Sequence, residues 1–220
     1  MVSRIIVRSF MLFTAALAFA APANAQTALV DYVGFAYEDG GIVPSNPGDV
    51  LTVLTVASAV DPVFGVPAGQ EVTIVLSDLV STGEFLSGTT TVVSYTGGTL
   101  SMYSDASNDS DWGENPPNGT APASFSNGDL VFEGAFTNFT LFIGSTGAGA
   151  FEGDLDATGG SALANVCANC AYSFAGVFTD ATGAQIPEGY DVQVDGTLEV
   201  DSTIPNDETS FGGLKVRFGQ

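Results

Sequence analysis

From Tyr190 to Asp195 the chain reads Tyr-Asp-Val-Gln-Val-Asp, apolar and polar residues in strict alternation, and after Gly196 a second such run covers Thr197 to Val200. A period of two sends successive side chains to opposite faces, which is the pattern of a half-buried strand and not of a helix. Similar runs cover Leu29 to Tyr37, Val50 to Ala57, Glu71 to Leu79, Thr90 to Tyr95, Thr99 to Tyr103, Asp129 to Phe132, Phe136 to Ile143, Ala148 to Leu155 and Tyr172 to Phe178. Turn-forming residues separate them: Asp39-Gly40-Gly41, Pro44 to Gly48, Pro67-Ala68-Gly69, Thr158-Gly159-Gly160 and Asp180 to Gly183. Gly97-Gly98 and Asn127-Gly128 read as hairpin turns, because primed turns need a positive φ that glycine and asparagine adopt at least cost. About ten short strands with no helical run between them predict an all-β fold, an antiparallel β-sandwich of jelly-roll or Ig-like type. No repeat of fixed period marks a solenoid or propeller.

Charge narrows the setting. The 220 residues hold four Lys and Arg, 25 Asp and Glu and no His. Two of the cations, Arg4 and Arg8, precede an apolar run from Phe10 to Ala21, followed by Pro22 and Ala23-Asn24-Ala25. A basic start, a short apolar stretch and small residues before a cleavage point predict a signal peptide over residues 1–25, removed before Gln26. The expected domain covers 26–200, with a polar linker and tail or last strand over 201–220. The mature chain then keeps Lys215 and Arg217 against all 25 acidic residues, a net charge of −23. Such a surface excludes nucleic acid as a partner. The only long apolar run is the predicted signal, so no transmembrane anchor is expected. Composition that is 45% apolar is enough to bury a core, and this separates the chain from disordered acidic tails.

Three features bear on chemistry. Asp105, Asp109, Asp111 and Glu114 crowd the irregular stretch from Ser104 to Ser126, and hard oxygen ligands at that density suit calcium. The spacing is not that of an EF-hand, and the same residues serve equally as Asx turns in a solvated loop. Trp112, the only tryptophan, stands among them, either as a stacking platform for a sugar or as a staple holding the loop to the sheet. Cys167 and Cys170 are the only cysteines; in an exported chain without histidine they predict a local disulfide and not a zinc or redox site. Lack of histidine also removes Ser-His-Asp and Cys-His catalysis, leaving carboxylate pairs as the available hydrolytic machinery.

With the export signal, the strand-and-glycine body, and the segment from Gly97 through Tyr103 to Asn115-Pro116-Pro117-Asn118, the chain resembles exported β-domain proteins of the PEP-CTERM type. That resemblance implies a Gram-negative surface or extracellular-matrix protein without an assigned activity. The family's sorting tail, a Pro-Glu-Pro motif with a hydrophobic segment and a basic end, has no counterpart here. The expected function is a secreted or cell-surface, non-catalytic structural, matrix or adhesion protein, with calcium as a candidate ligand and extracellular polysaccharide or other surface proteins as partners. The alternatives are a carbohydrate-binding module centred on Trp112 and a histidine-free glycosidase or lyase.

Overall fold

The computed structural model describes residues 27–112, 123–180 and 186–200. They form eight strands: β1 Thr27–Glu38, β2 Val50–Val60, β3 Glu71–Ser87, β4 Thr90–Asp105, β5 Asp129–Ile143, β6 Gly149–Gly159, β7 Tyr172–Thr179 and β8 Val192–Val200. Each pairs antiparallel with the next, and β8 returns to β1 with Thr27 opposite Val200 and Ala36 opposite Val192. The sheet therefore closes into a barrel with no sheet edge along this seam. The expected sandwich is wrong. Alternation along a strand tells which residues point inward, but it is the same for a strand in a sandwich and for one in a barrel.

Eleven expected runs become eight strands because glycines that read as breaks lie inside strands. Gly97 and Gly98, at φ 70° and 94°, bend β4 instead of ending it, and Asp78, at φ 58°, bends β3 beside them. A Cβ at Gly98 would stand 2.5 Å from Leu79 Cδ2, so the bend has room for no other residue. The runs Asp129 to Phe132 and Phe136 to Ile143 are one strand, β5. Gly196 likewise sits within β8, opposite Gly176 of β7. Asn127-Gly128 closes a long connection ahead of β5 and makes no tight hairpin.

Inward residues fill the barrel. Tyr32 lies flat on Phe174, with centroids 4.3 Å apart and planes 4° from parallel, and Phe136 and Phe151 pack around the same ring. Gly196 makes this possible, since a Cβ there would come within 2.7 Å of Tyr32 Oη. At the upper end, where β1 meets β2, Ile42 folds in from the loop; at the lower end Phe64, Ala162, Val166 and Cys170 do so. Ile42, Leu51, Phe139, Phe151 and Phe178 line an apolar pocket of about 10 Å³, at the lower limit for one water.

Many outward positions carry charge. Exposed Glu152, Asp154, Asp156 and Asp195 stand on the wall of β6 and β8. Charges on the outer face oppose burial in hydrocarbon, so the inside-apolar, outside-acidic pattern is that of a barrel in water. Among the described residues no helix is long and apolar enough to cross a membrane.

Candidate functional site

One stretch of the outer wall departs from this polarity. On β1 and β2 the outward residues Phe35, Tyr37 and Leu54 are apolar or aromatic, and two connections fold over them. From the lower end come Trp112 and Phe125; from the upper end comes Tyr190. Phe35 meets Trp112 edge-on at 5.4 Å and Tyr190 at 5.5 Å, while Trp112 contacts Phe125 at 5.3 Å. Trp112 is thus half-buried in a second small core on the barrel wall, in the staple arrangement and not as a free platform. Thr73 Oγ1 donates to Phe125 O at 2.9 Å, fastening the same connection to β3. Within this layer Trp112 Nε1 and Tyr190 Oη are buried without a hydrogen-bond partner, whereas Tyr37 Oη faces the Thr52 hydroxyl. Desolvation pushes both phenols above their ordinary pKa.

Asp105 and Asp109 are engaged locally. Asp105 Oδ1 accepts from the N–H and hydroxyl of Ser107 at 2.8 and 2.9 Å, an Asx turn that holds its pKa down. Asp109 accepts from Asn127 Nδ2 at 3.2 Å. Asp111 is exposed, and its N–H donates to Ser124 Oγ at 3.2 Å. Glu114 lies outside the described residues. Among the described residues no three His, Cys, Asp or Glu side chains gather closely enough to hold a metal. Cys167 and Cys170 are bonded to each other, with Cα atoms 5.4 Å apart, and Tyr172 Oη donates to Cys167 O at 2.8 Å.

A second polar group went unread in the sequence. Glu38, the last residue of β1, points inward at the upper rim and is 4% exposed. Its carboxylate accepts from Ser45 Oγ and from Tyr95 Oη, both at 2.5 Å, and Ser45 Oγ also meets Ser81 Oγ at 2.7 Å. Its backbone N–H donates to Asp191 Oδ2 at 2.9 Å. Among the described residues, the donors to this carboxylate are neutral hydroxyls. Burial, with Asp49 and Asp191 adding repulsion, pushes its pKa up, and burial does the same to Asp191. The network clips the β1–β2 connection over the barrel mouth. Glu38 had a sequence signal: it falls in phase with Tyr32 and Ala36, on the apolar face of β1.

A hydrolytic site would place two carboxyls in a cleft with room for a sugar. Asp31 and Asp61 share an open groove of about 240 Å³ at the lower end, but aliphatic residues line the rest of it and Asp61 Oδ1 caps Val63 N–H at 2.8 Å. Compared with protein families, with curated proteins and with solved structures, the chain matches none.

Proposed function

We propose that this chain is an exported, non-catalytic component of a cell surface or extracellular matrix, in which the barrel is a rigid acidic body that binds through its outside. The observation carrying this reading is the filled interior: with an apolar pocket of about 10 Å³ among the core side chains, recognition falls to the walls and ends. Outward carboxylates keep such a body soluble in crowded or saline surroundings. The predicted signal peptide and the disulfide both accord with an oxidising compartment. Extracellular polysaccharide and other surface proteins are the partners of choice. Expression of the full chain in a Gram-negative host, followed by N-terminal sequencing and protease treatment of intact cells, tests this. Processing before Gln26 with digestion at the surface is the expected result; an unprocessed cytosolic chain overturns it.

The aromatic layer favours a second reading, recognition of a neutral saccharide, because Trp112 and Tyr190 hold two donors in want of acceptors. Glycan-array binding by the native protein that is lost in Trp112→Ala supports it, and equal binding by both removes it.

A further inference from the structure

The barrel does not end evenly at its upper rim. β2 accompanies β3 only as far as Val50 opposite Val80; Ser81 N–H then donates to Asp49 O and Gly48 N–H to Ser81 O, and beyond them Ser45 N–H reaches only the side chain of Glu84. There, among the described residues, Glu84 to Ser87 pair with β4 alone, from Glu84 opposite Val93 to Ser87 opposite Thr90. This arm is a free sheet edge, and another strand is the natural complement of its main-chain groups.

Side chains make the edge receptive. Phe85 is 57% and Leu86 72% exposed, although both are large and apolar. Phe85 heads a row of outward apolar residues that runs across the sheet through Val92, Phe142 and Ala150 to Val177, itself 58% exposed. From Phe85 to Ser104 the sequence carries no charge. In a chain with a mature charge of −23, an edge with Glu84 as its single charge is where a second copy meets little repulsion.

The chain also contains a matching strand sequence. Leu214-Lys215-Val216-Arg217-Phe218 alternates apolar with basic residues and holds both cations of the mature chain. Laid beside the arm, such a segment sends alternate residues to opposite faces. Leu214, Val216 and Phe218 would extend the apolar row from Phe85, and Lys215 and Arg217 would fall on the face that carries Glu84 and Leu86.

Reach selects the source. Val200 pairs with Thr27 at the lower end of the barrel. The fourteen steps from Val200 to Leu214 extend about 46–50 Å at most. From Glu71, where β3 starts, up to Phe85 is also fourteen residues, about 46 Å, and with three strand spacings of about 4.8 Å at right angles to it the diagonal is about 48 Å. Trp112, Phe125 and Tyr190 already cover the wall between. The chain's own segment would have to be stretched to its limit around a convex, covered wall, whereas a neighbour's has no such limit.

We propose that residues Leu214–Phe218 of one copy add as a strand to the free edge Glu84–Ser87 of the next, joining barrels head to tail. Passed on from copy to copy, a contact of this kind builds chains or rings, and given back reciprocally it closes a dimer. The proposal rests on the surface or matrix reading and supplies its mode of assembly.

Sedimentation velocity of the mature chain from Gln26 across a concentration series tests it. Native protein should gain mass severalfold with concentration. Val216→Asp, which spoils the strand, and Phe85→Asp, which spoils the edge, should each stay monomeric while keeping the native circular dichroism. Mixed in equal amounts they should form one-to-one dimers, because one variant retains an edge and the other a strand. Paired substitutions Phe85→Cys and Val216→Cys on separate copies should crosslink between chains. Monomeric native protein, assembly indifferent to either substitution, a mixture that stays monomeric, or a crosslink within one chain overturns the proposal. Surface location without assembly rejects this contact alone; assembly by a cytosolic, unprocessed chain rejects the surface reading alone.

Discussion

Replacing Phe174 by alanine tests whether the barrel interior is as tightly filled as the ring contacts indicate. Phe174 is fully buried and touches Tyr32 face to face at 4.3 Å, Phe151 at 5.7 Å and Phe136 at 6.4 Å. Loss of a buried phenylalanine to alanine costs about 3–5 kcal/mol, the larger values arising where the surroundings cannot relax into the space. Here they cannot. Gly176 and Gly196 bring no side chain to move in, and Tyr32 is held in place by its bond from Oη to Ala175 O. The expected loss is therefore near the top of the range, about 4–5 kcal/mol, with the stacked pair contributing about 1 kcal/mol of it. At about 2–4 °C per kcal/mol for a domain of this size, the thermal midpoint should fall by roughly 10–20 °C. Urea unfolding followed by circular dichroism measures the free energy directly, and an unchanged m-value would show that the denatured state is unaltered. A loss below about 2 kcal/mol would refute the reasoning, since the interior would then be able to collapse or already be loose.

Gly98→Ala should cost about 2 kcal/mol or more in the same assay, because a side chain there meets both a positive φ and Leu79. Glu38 and Asp191 have raised pKa values, so the folded protein holds protons that the unfolded chain has released. That contribution is complete below the ordinary carboxylate pKa and is lost as pH climbs through the raised values. Thermal midpoints in high salt should accordingly rise as pH falls from 7 toward about 5, and Glu38→Gln should flatten the slope. A flat profile in native protein would contradict the burial of Glu38. Reducing the bond between Cys167 and Cys170, or replacing both by serine, should cost only about 2 kcal/mol, since a loop of four residues restricts the unfolded chain little.

Faces of individual strands were legible in the sequence, whereas closure was not. In β8, Val192 and Val194 point in and Gln193 and Asp195 point out, as alternation requires. The seam joining Thr27 to Val200 depends on residues at opposite ends of the domain, and neither strand carries a local mark of its partner. Glycine was the main source of error. At Gly98 and Gly196 it gives space to Leu79 and Tyr32, yet a missing side chain reads in sequence as a turn. The wall layer was half legible: Trp112 stood out among polar residues, but Tyr37 and Tyr190, which meet edge-on at 5.8 Å, lie 153 positions apart. The rim network gathers Glu38, Ser45, Ser81 and Tyr95 from separate segments, so no motif could announce it.

Closure by the first and last strands also orders events in time. Seven of the eight pairings join consecutive strands and can form as each hairpin becomes available, but the eighth brings together residues more than 150 positions apart. A chain that emerges from a ribosome or a translocation pore in sequence order presents β1 first. That strand then waits, with one row of main-chain donors and acceptors uncovered, until β8 has followed it. For this interval the nascent sheet has an open side that the finished barrel lacks, and mutual repulsion among its carboxylates is what keeps neighbouring chains from filling it.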